Sequence, residues 1–344
     1  NWKVLLDGVI TGQLDGAHML AGQPLAATIG FGTKAHIVTP FSMDLNGNGI
    51  TVARWLYAAM KASGVSDIGT PAGSAMALRK VIEERRAAGE KPLTFAVVFP
   101  YSSHNYLLRY WMASAGIDPD RDVKLVVVPP PQMVNYLDSG VIAGFCVGEP
   151  WNALAVKSGV GRSVSTSYAL WNNHPEKVLG VSADWAASHP NTHIAMIQAI
   201  LKACEWIDQR ANRQEVCDIL SRGRYVNAPQ DVLAMSMTGT FRFDMEEEPV
   251  ERPDFNVFHR YSANLPWRSS AIWNLTQMLR WGQIDEAVNF DEIADYVYRP
   301  DIYAMAAREL IAEGKAKAED FPDFETETGF RPPQAEFIDG ITFD

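Results

Sequence analysis

The sequence is poor in cysteine, with three residues among 344, at Cys146, Cys204 and Cys217. None of them forms a CxxC pair or has the spacing of a zinc site, which argues against a metal centre built on thiolates. Cys204 and Cys217 flank a short helix-turn region, so they either form a disulfide in an oxidising compartment or remain two unpaired buried thiols. Cysteine usage therefore does not fix the compartment.

Long apolar runs and an excess of positive charge are missing as well. No run approaches the roughly 18 apolar residues that a membrane span requires. Lys and Arg total 30 against 41 Asp and Glu, which gives a net charge of −11. This acidic balance argues against nucleic acid and anionic membranes as partners. If the ligand is a small anion, the site must supply its own local positive potential.

The motifs of common enzyme classes are also absent. The sequence contains no HExxH helix, no P-loop and no GxGxxG turn. Ser102 and Ser103, beside His104, do not form a GxSxG nucleophile elbow. We therefore predict a binding protein that is not an enzyme, with no metal and no cofactor.

The first two-thirds of the chain alternates short apolar runs with amphipathic stretches, which is typical of an α/β sheet protein, and the length predicts two domains. The predicted strands are Leu14–Leu20, His36–Pro40, Ile50–Val52, Thr94–Phe99, Val123–Val128 and Ala143–Val147. Helices are predicted at 24–30, 53–61, 76–88, 103–115 and 132–138, with a loop at 64–74. From Pro190 onward the pattern predicts long helices at 191–209, 213–221, 269–281, 291–298 and 301–313, and 318–344 reads as a strap on the surface.

Two groups of polar residues lie at the ends of predicted strands. Ser102, Ser103 and His104 follow the buried strand that ends at Phe99, where a helix N-terminus presents free amides to an anion. Alternatively, the serines only cap the helix and His104 faces solvent. Lys177 precedes an apolar strand and is either a solvated lysine or an anchor for an anion, opposite a histidine across a cleft.

Two further sets of residues have both a structural and a functional interpretation. Asn46 and Asn48 flank Gly47, and an Asn-Gly pair strongly favours a tight turn. Their side-chain amides are also donors that suit the oxygens of nitrate. Trp2 is either a core residue or an aromatic wall for a planar anion.

Several strings of residues closely resemble the nitrate/bicarbonate ABC-transporter binding-protein family. They are Gly16–Leu20, Leu45–Ile50, Phe145–Trp151, His174–Lys177 and the tail Asp339–Asp344. The resemblance covers nearly the whole chain in order, and the FCVGEPW string at 145–151 is quite specific. It implies that the first strand and helix of the family fold lie before Asn1.

The resemblance implies a type II periplasmic-binding-protein-like α/β fold of two lobes with a helical C-terminal extension. We expect residues 1–90 and 182–344 in lobe 1 and residues 91–181 in lobe 2. His104 and Lys177 stand where nitrate-binding members place their anion-contacting histidine and lysine. Trp2 matches a tryptophan of the pocket wall, and Asn48 stands where a nitrate binder has a glutamine, which shortens the donor. The predicted ligand set also includes Ser102, Ser103 and Glu149.

Family members bind a small oxyanion between the lobes and deliver it to a membrane permease. The resemblance therefore implies an ABC-importer component that captures nitrate or nitrite at the periplasmic face, free or as a lipoprotein. One alternative is a cytoplasmic sensor of the same fold that controls a partner protein or a transporter ATPase. Others are a bicarbonate-binding component, which would use a carboxylate and a metal, and an enzyme acting on a thiamin-precursor-like substrate.

Overall fold

The computed structural model describes residues 2–285, 287–324, 329 and 337–338. The helices are α1 Trp2–Ile10, α2 Gly22–Ile29, α3 Arg54–Ala62, α4 Pro71–Ala87, α5 Ser103–Ser114, α6 Met133–Asp138, α7 Trp151–Lys157, α8 Ser167–Leu170, α9 Ala183–Ser188, α10 Pro190–Asp208, α11 Arg213–Leu220, α12 Gln230–Met237, α13 Arg268–Arg280, α14 Phe290–Val297 and α15 Pro300–Ala312. The strands are β1 Gly16–Leu20, β2 Ile37–Ser42, β3 Leu45–Asn46, β4 Asn48–Ala53, β5 Thr94–Val97, β6 Lys124–Val127, β7 Gly144–Gly148, β8 Gly161–Thr166, β9 Lys177–Ser182, β10 Thr240–Phe241, β11 Val250–Glu251 and β12 Asn256–Val257.

Two sheets divide the structure into two lobes. The first lobe contains an antiparallel sheet in the order β1-β9-β2, and the second contains a sheet in the order β6-β5-β7-β4-β8. Strands β5, β6 and β7 are parallel and are connected through α5 and α6, whereas β4 runs antiparallel to both of its neighbours. The predicted α/β class is therefore confirmed, and the strands and helices predicted between 94 and 147 form two βαβ units.

Strand β4 and the two helices after it pack with the second sheet. The sequence prediction placed these residues in lobe 1, but β4 lies between β7 and β8, and α4 packs against α5. The Nε1 of Trp111 on α5 donates to the carbonyl of Pro71 at 2.9 Å. The chain therefore enters the second lobe at the turn between β3 and β4, and not after residue 90, because the strand that follows this turn finds its partners there.

Helix α4 begins earlier than the sequence predicted. Residues 64–74 were expected to form a loop because Gly, Ser and Pro are frequent there, yet Pro71 is the first residue of the helix. The hydroxyl of Thr70 accepts a hydrogen bond from the amide of Gly73 at 3.0 Å and caps the helix. A capping threonine followed by proline is a helix start. Strand β8 was not predicted, because its Gly, Ser and Thr residues lack an apolar alternation.

The long C-terminal helices confirm the helical extension: α15 packs against β2 of the first sheet, and α10 packs against α15. Phe41, Leu179, Ile197 and Tyr303 belong to the core that they enclose. Cys204 and Cys217 are buried free thiols, so the disulfide alternative is wrong. No described helix combines the length and apolar character that a membrane crossing needs.

The C-terminal segments contact the second lobe on two sides. On one side α12 packs against α7, and the carboxylate of Asp244 accepts two hydrogen bonds from Arg54, at 2.5 and 2.9 Å. On the other side Gln283, just after α13, accepts from the Tyr106 hydroxyl at 2.7 Å and donates to the carbonyl of Pro100 at 3.1 Å. The lobes are thus tied together beyond their crossover strands.

Part of the predicted surface strap is visible. Residues Ala318–Asp320 form a 3-10 turn, and the ring of Phe337 stacks on Trp171 with centroids 4.8 Å apart. The ring of Tyr110 also contacts the ring of Phe337, with centroids 5.4 Å apart. The backbone amide of Ile338 donates to the carbonyl of Leu170 at 2.9 Å. Most of 325–344, including the string at 339–344, lies outside the described residues, and among those described Phe337 and Ile338 place the strap against the second lobe.

Candidate anion-binding site

A cavity of about 540 Å³ lies between the two lobes. The first lobe lines it with α1, β1 and the start of β9, and the second lobe contributes the start of α5 and the β7–α7 junction. A further wall is apolar and comes from the α11–α12 region, with Leu220, Val226 and Leu233. We call this space the central cavity, and its volume is typical of a small-molecule site.

Lys177 is the first residue of β9 and reaches the central cavity with a side chain that is 10% exposed. Its backbone amide donates to Asp44 Oδ1 at 2.8 Å. The ammonium contacts the carboxylate of Glu176 and lies 5.5 Å from the ring centroid of Trp2. Burial lowers the pKa of Lys177 to about 8, against the opposing charge of Asp44. At neutral pH the lysine is therefore still a cation.

His104 lies opposite Lys177, on the second residue of α5, and is 1% exposed. Burial holds its pKa well below the usual value, and the positive charge of Lys177 lowers it further. The neutral imidazole therefore acts as a hydrogen-bonding group. Its Nδ1 lies 3.8 Å from Glu176 Oε1, and no described residue forms a hydrogen bond with Nδ1.

Asn48 and Glu149 complete the polar wall of the second lobe. The backbone amide of Asn48 donates to Ser167 Oγ at 3.2 Å. Neither polar atom of the Asn48 side chain has a hydrogen-bond partner among the described residues. Glu149 Oε2 accepts from the amide of Ala153 at 3.1 Å, and burial raises the pKa of this carboxyl to about 8. Both side chains line the central cavity and present free hydrogen-bonding atoms.

The turn before Asn48 has the geometry that its sequence predicted. Asn46 and Gly47 have φ angles of 65° and 83°, the left-handed region that Asn and Gly tolerate. These two residues therefore adopt the backbone conformation that an Asn-Gly turn favours. The turn also places Asn48 on the wall of the cavity, so the two interpretations of Asn48 are compatible.

Ser102 and Ser103 are not among the residues that line the central cavity. Ser102 Oγ accepts from the amide of Asn105 at 3.1 Å and donates to the carbonyl of Phe99 at 2.7 Å, which makes it the N-cap of α5. Ser103 Oγ donates to the carbonyl of Pro175 at 3.0 Å. Both hydroxyls are occupied by backbone groups, so the structure places them behind His104 and not against a ligand.

Trp2 lies on α1 and forms part of the cavity wall. Its ring meets His18 edge to face, with centroids 5.7 Å apart. The carbonyl of Trp2 accepts a hydrogen bond from Gln23 at 3.2 Å, which fixes the start of the helix against the first lobe. The structure thus brings Trp2, His104, Lys177, Asn48 and Glu149 to one cavity.

Three titratable residues of the cavity wall were not among the predicted site residues. Asp44, Glu176 and His18 line the central cavity beside Lys177. Glu176 precedes Lys177 directly, and this adjacency of opposite charges was the available signal. The described part of the chain contains no group of three His, Cys, Asp or Glu side chains arranged to hold a metal ion.

Comparison with known proteins identifies the family. A family model described as the NMT1-like family matches residues 1–221. The chain belongs to the NMT1-like family. A relative of this NMT1-like chain, the nitrate/nitrite binding protein NrtA of Synechococcus elongatus, is 32% identical over 353 residues, which cover 100% of the chain and 75% of that protein.

The same relationship is seen in three dimensions. The crystal structure of the periplasmic nitrate-binding protein NrtA from Synechocystis PCC 6803 superposes on this NMT1-like chain with a TM-score of 0.89 and 30% identity. The superposition covers 100% of the chain and 85% of the NrtA chain. This likeness confirms the predicted periplasmic-binding-protein fold.

A second group of relatives is longer. The nitrate import ATP-binding protein NrtC of Synechocystis is 41% identical over 316 residues, which cover 90% of the chain. The chain spans 44% of the length of NrtC, and the same share of the bicarbonate transport ATP-binding protein CmpC of Synechococcus elongatus, at 37% identity. The chain therefore has relatives of two lengths: NrtA, of which it spans 75%, and the two ATP-binding proteins, of which it spans 44%.

Proposed function

We propose that the protein is the solute-binding component of an ABC importer, which captures nitrate or nitrite in the central cavity and delivers it to a membrane permease. The observation that carries the proposal is the position of Lys177, a cation in a cavity that two lobes enclose. The NrtA relatives, which are named for nitrate and nitrite, support this choice of anion. In this role the protein is not an enzyme and works at the periplasmic face.

The donors around Lys177 suit a planar oxyanion. Asn48 offers a free amide and His104 a ring nitrogen, and both face the space beside the ammonium. Trp2 lies 5.5 Å from the ammonium and supplies a flat wall. Because charge-assisted hydrogen bonds are worth roughly 1.5–3 kcal/mol each, a few such contacts are enough for a small anion.

The negative charge of the whole chain does not oppose this function, because the field at the site is local. The chain carries −11 overall, but exposed charges more than about 10 Å away are screened at physiological salt. Lys177 is buried, and its field is screened much less. The potential that an anion meets in the cavity is therefore set by the groups beside Lys177 and not by the net charge of the chain.

Titration calorimetry tests the proposal directly. We expect saturable binding of nitrate and nitrite, and no binding of chloride or acetate at the same concentration. Bicarbonate is titrated with and without calcium. If bicarbonate bound in the presence of calcium and neither nitrate nor nitrite bound, the choice of nitrate would be wrong.

A second candidate is a nitrate-responsive regulatory domain of an import ATPase. It is supported by the 41% identity to a segment of NrtC, which exceeds the 32% identity to NrtA. Immunoblotting of the source organism with an antibody against residues 190–312 distinguishes the two. A periplasmic protein supports the importer subunit, whereas a larger polypeptide that co-purifies with ATPase activity supports the regulatory domain.

A further inference from the structure

Glu176 lies between the two groups that face the ligand space from opposite lobes. This side chain is 1% exposed, its Oε1 is 3.8 Å from His104 Nδ1, and its Oε2 contacts the Lys177 ammonium. Apart from this ion pair, neither carboxylate oxygen accepts a hydrogen bond from any described residue. The charge of Lys177 is therefore already balanced by the protein before a ligand arrives.

An incoming anion has to compete with this carboxylate for the same ammonium. Asp44 also holds the start of β9, through the hydrogen bond from the amide of Lys177 at 2.8 Å. Burial raises the pKa of the Asp44 carboxyl. Even without a charge on Asp44, adding an anion to Glu176 and a single lysine leaves negative charge uncompensated in a buried space. Uncompensated buried charge is costly, and proteins commonly remove the cost by binding a proton.

We propose that the anion is bound together with one proton, which the pair formed by His104 and Glu176 takes up from solution. This inference rests on the proposed function. The proton turns the imidazole into an imidazolium that faces Glu176 through Nδ1, so the carboxylate exchanges Lys177 for His104 as its partner. The ammonium of Lys177 is then free to hold the anion, and no bond other than the new N–H is formed.

The chemistry of the empty site agrees with this exchange. The pKa of His104 is held well below its usual value by burial and by Lys177, so the imidazole is neutral near neutral pH. A bound anion opposes the effect of Lys177 and raises the proton affinity of the pair. By linkage, affinity for the anion must then fall as the pH rises.

Other titratable groups line the cavity or interact electrostatically with Lys177, and they have to be separated from the pair. They are His18, Asp44, Cys146, Glu149, His174 and Lys177. The pKa values of Glu149 and Lys177 are both about 8, so at pH 6.5 these two groups are protonated with or without ligand. Burial raises the pKa of the Cys146 thiol, which stays neutral. His174 Nδ1 is engaged by the carbonyl of Pro175 at 3.0 Å.

Nitrate titrations of the protein at pH 6.5, in three buffers of different ionisation enthalpy, measure the proton directly. The slope of the observed enthalpy against the buffer ionisation enthalpy is the number of protons taken up, and we expect about one. Nitrate does not titrate in this range, so the proton must bind to the protein. Between pH 6 and 7 the nitrate affinity should fall about tenfold per pH unit.

Variants identify the groups that take up the proton. Glu176→Gln should abolish the buffer dependence and make nitrate affinity independent of pH between 6 and 7. Asp44→Asn and His18→Gln change the charge or the titration of the same cavity but leave the pair intact, so proton uptake should persist in both. Glu313→Gln, at an exposed ion pair with Lys315, should match the wild-type protein in affinity and uptake.

Two results would overturn the inference and leave the proposed function standing. One is nitrate binding to the wild-type protein with the same enthalpy in all buffers. The other is full proton uptake in Glu176→Gln. Absence of any nitrate binding would overturn both proposals together.

Discussion

At the scale of single residues, the central cavity is organised by a neighbouring pair of opposite charges. Glu176 and Lys177 are consecutive in sequence, and both are buried. A buried ion pair adds little to stability, but removing one partner leaves a costly charge behind. The pair therefore links ligand binding to the stability of the empty protein.

The substitution Lys177→Met tests the role of the ammonium. We expect nitrate affinity to fall about tenfold to a hundredfold, because a charge-assisted contact to the anion is lost. We also expect the unfolding free energy to fall by ~3 kcal/mol, because Glu176 loses its partner. Calorimetry measures the affinity and urea denaturation the stability.

The double variant Lys177→Met with Glu176→Gln serves as the control for this experiment. It removes both charges, so most of the lost stability should return while nitrate affinity stays low. If Lys177→Met bound nitrate as tightly as the wild-type protein, Lys177 would not be a contact of the anion. If Lys177→Met were as stable as the wild-type protein, Glu176 would not depend on Lys177 as its partner.

At the scale of elements, the start of α5 carries three consecutive polar residues with three different tasks. Ser102 caps the helix, Ser103 holds the loop at Pro175, and His104 enters the cavity. The direction of each side chain follows from its position in the first helical turn. Of the three, only His104 is among the residues that line the central cavity.

The variants Ser102→Ala and Ser103→Ala should separate the first two tasks. Loss of the Ser102 cap should reduce the unfolding free energy by ~1 kcal/mol with little change in nitrate affinity. Loss of the Ser103 hydroxyl should weaken nitrate binding more, because Pro175 directly precedes Glu176. Both affinities are compared by calorimetry with that of the wild-type protein. A large affinity loss in Ser102→Ala would mean that this hydroxyl does contact the anion.

At the scale of the whole molecule, the C-terminal half holds the lobes at two edges of the cavity. Asp244 is bonded to Arg54 on one side and Gln283 to Tyr106 on the other. Hinge opening in proteins of this fold separates the lobes about their crossover strands. Here a wide opening would have to break both sets of contacts, which makes an open form of the empty protein costly.

Small-angle X-ray scattering tests this tie. We expect the radius of gyration of the wild-type protein to be the same with and without saturating nitrate. A variant that combines Asp244→Asn with Gln283→Ala should open in the absence of nitrate and contract when nitrate is added. Lys157→Gln, at a more exposed ion pair with Asp231 on the same edge, is the matched control and should behave as wild type. A nitrate-dependent contraction of the wild-type protein would contradict the tie.

Local patterns determined much of this fold and half of the site. The apolar run at 94–97, the Asn46-Gly47 turn and the C-terminal helices were predictable, because periodicity and turn chemistry act over a few residues. His104 and Lys177 were candidates from their places at a helix start and a strand start, and the family resemblance favoured them as cavity residues. The resemblance of the sequence to a known family indicated nitrate as the anion.

Long-range packing decided the rest. The assignment of β4 to the second lobe depends on hydrogen bonds to β7 and β8, which are distant in sequence. The roles of Ser102 and Ser103 depend on which way the first turn of α5 faces. The position of Glu176 between His104 and Lys177 depends on the approach of two lobes. Sequence supplied the charged groups, and only the tertiary structure brought them within interacting distance, because burial and pairing are properties of the packed chain.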